Sequence, residues 1–312
     1  MDENSTEYDV IIIGGGPAGL SASLWCAELG LKSILFEKEN EFGGQLLWTF
    51  NAIKNYLGIE AANGRELRDR FLQHIENNNV RRQTGAFVVS ADLALKTLTL
   101  ADGKSFTAKA IIIATGVRRR KLEVPGEEEF HGKGILESGV KAKDDLRGKT
   151  VVIVGGGDAA LENALILGAK AERVFIVHRR SEFSARPKFV NEAAEKYNVE
   201  FVLSSQLTAI VGKNEVEAVD IKDITTGATL HIPVDAVLIR IGVEPNTELF
   251  RGQIAMDGAG YICVDGNCST DLKSIFAVGD VANPLAPTIN SAAGQGTTAS
   301  KSIALNLIRE IV

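Results

Sequence analysis

One signature occurs twice in this chain of 312 residues, and few folds accommodate it twice. Val10-Ile11-Ile12-Ile13 runs into Gly14-Gly15-Gly16-Pro17-Ala18-Gly19, and Val151-Val152-Ile153-Val154 runs into Gly155-Gly156-Gly157-Asp158-Ala159-Ala160. Each apolar run predicts a buried strand, and each glycine turn opens a helical segment. A second apolar run ends at Glu37 in the first copy and at His178 in the second, at the same distance past the first glycine. One copy closes on an acid and the other on His178-Arg179-Arg180.

A strand that enters a helix through such a turn brings its backbone close to a pyrophosphate, whose charge rests on the helix's free N–H groups. The tip of the second strand then meets the adenosine ribose, where a carboxylate accepts from the hydroxyls. Glu37 suits an unphosphorylated ribose. A carboxylate would repel a 2′-phosphate, whereas guanidinium groups pair with phosphate oxygens in a planar fork, so Arg179 and Arg180 suit NADPH better than NADH.

The length suggests two domains, each large enough for its own core. A net charge of −6 argues against a nucleic-acid partner and leaves small molecules or another protein. No apolar run is long enough to span a bilayer, and residues 1–8 lack the pattern of a signal peptide, so the expected setting is the cytoplasm. Arg118-Arg119-Arg120-Lys121 reads either as a docking point for an acidic carrier or as a solvated loop. The three cysteines, Cys26, Cys263 and Cys268, form no C-x-x-C. Cys26 reads as a small buried hydrophobe, and Cys263 and Cys268 as a reduced pair. With four histidines and no ligand-like spacing, no metal site is expected.

Along the chain, 65–80 reads as a helix, 86–99 and 105–113 as a small antiparallel sheet, and 110–113 as a buried strand ending at Ala114-Thr115-Gly116. A helix near 187–197, strands near 200–241, a strand at 274–278 and a last helix near 291–310 follow. Gly242 to Asn246 marks a return crossing. The expected architecture is α/β, with two Rossmann-like, three-layer ββα domains, one inserted in the other: 1–117 with 247–312, and 118–246.

These motifs, with Gly43-Gly44-Gln45-Leu46 and Gly279-Asp280, together resemble the low-molecular-weight thioredoxin reductases over nearly the whole chain. The resemblance implies FAD in the outer domain and NADPH, or NADH, in the inserted one. It places Gly14, Gly16, Pro17, Ala18 and Gly19 at the FAD pyrophosphate and Glu37 with Lys38 at the ribose. Gly44, Gln45, Leu46 and Asn55 fall near the flavin, as do Ala114, Thr115 and Gly116, with Gly279 and Asp280 at the ribityl chain. Gly155, Gly157, Asp158, Ala159, Ile241 and Gly242 would line the second nucleotide, with His178, Arg179 and Arg180 in its phosphate-binding turn. A homodimer is a further implication.

Three departures from the family pattern stand out. Ser138 and Lys141 occupy the two positions of the family's redox cysteines, and Ala142 that of a following aspartate. Pro287-Thr288-Ile289 replaces Arg-Gln-Ala, leaving Thr288 and the Ile289 N–H to donate to the flavin. Ser184 replaces an arginine of the 2′-phosphate site, with Arg186 two positions on. Trp48 reads as a core or interface residue rather than a flavin cover. The expected function is an FAD-dependent NAD(P)H oxidoreductase that passes electrons directly from the flavin to an acceptor such as ferredoxin or flavodoxin. The alternatives are a disulfide reductase using other thiols or a second flavin, and a flavin-binding redox sensor without turnover.

Overall fold

The computed structural model describes residues 7–78 and 80–309. In chain order these form β1 (Glu7–Ile13), α1 (Pro17–Glu28), β2 (Ser33–Phe36), α2 (Gly64–Glu76), β3 (Arg81–Gln83), β4 (Val88–Asp92), β5 (Thr97–Leu100), β6 (Ser105–Ile113) and β7 (Val117–Arg119). Then come α3 (Gly139–Ala142), β8 (Thr150–Val154), α4 (Asp158–Leu167), β9 (Arg173–Val177), α5 (Pro187–Ala194), β10 (Val199–Val202), β11 (Ser205–Gly212), β12 (Val216–Asp223), β13 (Thr229–Pro233) and β14 (Ala236–Ile239). The last described elements are β15 (Val243–Pro245), β16 (Ile275–Ala277) and α6 (Ile289–Arg309). It divides into an outer unit, Met1–Arg118 with Glu244–Val312, and an inserted unit, Arg119–Val243. Both are Rossmann-like, and the fold class is α/β.

In the outer unit the strand order is β3-β2-β1-β6-β5-β4, with β16 also paired to β6. The period-two alternation of β1 sends Val10 and Ile12 to the helical side, with Leu20, Cys26 and Ile303. Ile11 and Ile13 face the other way, onto Leu98, Phe106 and Phe250. Each such side chain, fully buried, contributes roughly 1.5–3 kcal/mol. The meander is not the separate small sheet that the alternation suggests. β6 pairs antiparallel with β5 through Thr107, Phe106 and Ser105, and parallel with β1 from Thr107 to Ile113. Its first half alternates in burial and its second half is buried on both faces. One strand therefore serves both patterns.

α1 and α6 approach closely, since a Cβ on Gly296 would lie 2.4 Å from the Ala18 carbonyl oxygen. Ser21 Oγ donates to the Ala293 carbonyl and Ser300 Oγ to that of Ala22.

The inserted unit has three layers. Val151 and Ile153 of its parallel sheet, order β10-β9-β8-β14, pack on α4 and α5. Val152 and Val154 pack on the antiparallel sheet β11-β12-β13. Arg118 and Glu244–Asn246 lie with the outer unit rather than in the insert, because the Arg118 guanidinium pairs with Glu244 and Glu248 and donates to Asn246 Oδ1. Trp48, at 51% exposure, is not a core residue. Among the described residues no helix is long and apolar enough to cross a membrane.

Candidate nucleotide sites

The first glycine turn is held by contacts that only glycine permits. Gly14 has φ +109°, and a Cβ there would stand 2.3 Å from the Ala114 carbonyl oxygen. A Cβ on Gly19 would stand 1.9 Å from the Gly14 carbonyl oxygen. Pro17 occupies the first turn of α1, where its missing N–H costs nothing, and Gly16 gives this helix no side-chain cap. By contrast, α2 begins at Asn63, whose side chain accepts the Glu66 N–H. The first-turn donors of α1 are thus left for an external anion, the group that a dinucleotide supplies.

Glu37 is buried, and its carboxylate accepts from the backbone N–H of Gly15 at 2.6 Å and of Glu39 at 2.9 Å. The strand tip is therefore locked onto the glycine turn, with carboxylate lone pairs left over for ribose hydroxyls. Lys38 points to solvent beside Glu39. Gly43 N–H donates to the Gly15 carbonyl, so the loop of Gly44, Gln45 and Leu46 leans on the same turn. Gln45 Nε2 donates to the Val117 carbonyl at 2.8 Å, and Leu46 is buried. Asn55 is exposed and its carbonyl accepts from Asn290.

Thr115 and Asn246 exchange hydrogen bonds, Thr115 Oγ1 to the Asn246 carbonyl at 2.7 Å and Asn246 Nδ2 to the Thr115 carbonyl at 2.8 Å. The Asn246 N–H adds a bond to the Gly116 carbonyl. Asn246 is a positioning residue that motif reading missed. The Pro245-Asn246 turn marks a break in sequence but does not name the partner 131 positions away. Gln295 was missed in the same way; its Oε1 accepts the Gly279 N–H.

Asp280 is half-buried, and among the described residues its carboxylate has no hydrogen-bonding or ionic partner. Burial alone raises its pKa above the usual carboxylate value. Ionised Asp280 therefore opposes folding of the flavin-free chain: the relative stability present at low pH is lost as pH rises through the folded-state pKa. Asp280→Asn should raise the melting temperature of flavin-free protein near pH 7 but not below about pH 3, where both states are protonated. The same change should weaken FAD binding, as measured by flavin release, if the carboxylate accepts from the cofactor. Thr288 takes a role not expected of it. It sits directly before α6, where its Oγ1 accepts the Ser291 N–H and its carbonyl the Ala292 N–H. This caps the helix. The Thr-x-x-Ser spacing ahead of a helical run was the available signal.

In the second copy Gly155 has φ +149°, and a Cβ would lie 2.1 Å from the Arg240 carbonyl oxygen. The His178 ring packs on Gly156, where a Cβ would lie 2.3 Å from it, and stacks on Phe183. His178 Nε2 is buried and, among the described residues, has no hydrogen-bond partner, an orphaned polar atom at the position equivalent to Glu37. Burial, more than the neighbouring arginines, lowers the His178 pKa and so favours the neutral ring. α4 also starts without a side-chain cap, at Gly157, with Ala159 exposed in its first turn. Arg179 and Arg180 are exposed and, among the described residues, form no ion pair. Arg186 is engaged. Its Nε and backbone N–H both donate to the Asp158 carboxylate at 2.7 Å, so each of these motif residues occupies the other. Ser184 is tied to the Gly156 carbonyl. Ile241, partly buried, packs against the core between the two sheets, and the Gly242 carbonyl accepts from the Arg120 N–H.

Ser138 is buried and precedes the short α3, while Lys141 pairs with Glu137 at 2.7 Å. Cys26 and Cys268 are buried, and burial pushes both thiols up to about 11. Cys263 is exposed, and no cysteine is in a disulfide. In the basic run at 118–121, Lys121 pairs with Glu128 and Arg118 with its two acids, while Arg119 and Arg120 donate only to backbone carbonyls.

Both turns fit dinucleotides: each is a cradle that a Cβ would fill, each opens an uncapped helix, and Asp280 and His178 hold unmatched polar atoms. The family model described as pyridine nucleotide-disulphide oxidoreductase matches residues 8–296. The chain belongs to this family. Thioredoxin reductase of Mycolicibacterium smegmatis is 35% identical over 303 residues, 96% of each chain. A 34.2 kDa protein in the rubredoxin operon of Clostridium pasteurianum is 32% identical over 295 residues, 94% of this chain and 95% of that one. Thioredoxin reductase of Lactococcus lactis superposes with a TM-score of 0.85 at 33% identity, over 97% of this chain and 99% of that one. Pyridine nucleotide-disulphide oxidoreductases of this thioredoxin-reductase-like kind use FAD and NADPH.

Proposed function

We propose that this oxidoreductase takes electrons from NADPH into FAD and passes them directly to a small protein carrier, ferredoxin or flavodoxin in type, without an internal dithiol. FAD supplies the exchange itself, because a flavin accepts electrons as a pair and releases them singly or paired. The residues of the chain bind and orient. The Gly14–Gly19 turn and the free donors of α1 would hold the FAD diphosphate, with Glu37 at its ribose and Asp280 at a sugar-like hydroxyl. Gly155–Gly157 would hold the second diphosphate, with Arg179 and Arg180 on the 2′-phosphate.

The observation that carries this reading is the pair Ser138 and Lys141. Neither a hydroxyl nor an ammonium held by Glu137 can cycle between thiol and disulfide. The rubredoxin-operon setting of the Clostridium pasteurianum relative supports a small carrier. Anaerobic titration with NADPH should bleach the flavin, after which ferredoxin or flavodoxin should restore its colour and thioredoxin should not. Absence of bleaching by both NADPH and NADH would overturn the proposal and favour a sensor.

The reading in which other thiols relay electrons is opposed by the raised Cys26 and Cys268 thiols, which stay protonated near neutrality. Cys263→Ser should keep carrier reduction within about twofold of the parent, as expected for an exposed residue outside the pathway. Loss of that activity with the flavin still reducible by NADPH would restore the thiol relay.

A further inference from the structure

Two arginines of the inserted unit converge where no carboxylate neutralises them. Arg240 Nη2 donates to the Glu137 carbonyl at 2.8 Å and its Nη1 to the Ile239 carbonyl at 2.7 Å. Arg119 Nη1 donates to the same Glu137 carbonyl oxygen. The Glu137 carboxylate is turned to Lys141 instead. Two guanidinium groups thus share one neutral acceptor, and among the described residues neither has an acid within ion-pair distance.

A guanidinium offers five N–H donors in a planar fork, so most of the donors in this pair remain unspent. Their proximity is unfavourable as it stands: burial, and then the Arg119 charge, push the Arg240 guanidinium down to about 10. An anion bridging the pair would reverse that repulsion and use the free donors.

The position is one where ligands are received. The Leu136 N–H donates to the Val237 carbonyl and Ile135 bridges Val237 in parallel, so 135–137 runs alongside β14. Glu137 therefore lies at the carboxyl end of the parallel strands, the edge at which open α/β sheets bind ligands. Arg240 also abuts the second glycine turn through its carbonyl at Gly155.

We propose that Arg119 and Arg240 form an oxyanion seat for a phosphate-type group, distinct from the one formed by Arg179 and Arg180. The group has two sources, the diphosphate of a bound pyridine nucleotide or the phosphate of another small molecule. The inference shares with the proposed function only the view that the inserted unit binds phosphate; it needs no electron transfer.

The test is calorimetric titration of the flavin-loaded full chain with inorganic pyrophosphate. Saturable binding is expected, weakened about tenfold to a hundredfold in Arg119→Gln/Arg240→Gln and retained in Arg179→Ala/Arg180→Ala. Displacement of pyrophosphate by NADPH would identify the nucleotide as the source, and simultaneous binding would identify another phosphate ligand; either supports the seat. Should the double variant fail to retain flavin, Arg119→Gln alone, at an exposed side chain, gives the same comparison. No binding to the parent chain, unchanged affinity in the glutamine variants, or loss confined to Arg179→Ala/Arg180→Ala would overturn the seat. A chain that binds pyrophosphate in this way yet reduces no carrier keeps the seat and loses the proposed function.

Discussion

Replacing Arg179 and Arg180 together with alanine is expected to raise the KM for NADPH by about a hundredfold and to leave kcat/KM for NADH within about twofold of the parent. A charge-assisted bond to phosphate contributes about 1.5 kcal/mol at an exposed site, and two such bonds together give roughly two factors of ten. Both side chains are exposed and, among the described residues, form no ion pair, so no internal ion pair is lost on truncation and the effect reports the ligand. Arg186 cannot compensate cheaply. Its guanidinium is held by Asp158, and releasing it would leave that carboxylate facing the same phosphates. Steady-state kinetics with the two nucleotides, run side by side, checks the prediction. Equal losses for both would place the arginines outside the 2′-phosphate site.

Gly19→Ala is expected to yield colourless protein. The added methyl would stand 1.9 Å from the Gly14 carbonyl oxygen and 3.3 Å from Leu35 Cδ1, contacts that cannot coexist with the present turn. α1 must draw back from β1, at a cost of roughly 1–3 kcal/mol in stability or somewhat more. The same displacement separates the uncapped N–H groups of α1 from the carboxylate of Glu37, which now accepts from Gly15. The ratio of flavin to protein absorbance after purification, with the melting temperature, tests this. Full flavin content would mean that the turn does not hold the diphosphate.

Much of this was readable in the sequence for a simple reason: the strand, glycine turn and helix lie within thirty or so neighbouring residues, and periodicity reports local structure. Glu37 and His178 were marked by their spacing from the glycines. Partners joined only in three dimensions were not marked. Nothing near Thr115 announces Asn246, nothing near Gly279 announces Gln295, and the sharing of the Glu137 carbonyl by Arg119 and Arg240 depends on three separate stretches. Charge was misleading where it was densest, since Arg118 and Lys121 are spent on acids of the chain itself. β6 was divided into two readings because its two halves obey different burial patterns within one continuous strand.

The late pairing of β16 with β6 sets an order of assembly. The inserted unit is a single unbroken stretch and is complete once residue 243 has been made. The outer sheet is not, because Ile111, Ile112 and Ile113 await Ile275, Phe276 and Ala277, and α1 awaits α6. During synthesis an apolar strand edge made early thus stays open while an entire unit folds downstream of it, a segment at risk of pairing with another nascent chain. The outer unit closes only once β16 and α6 have been made, not when the first glycine turn is translated.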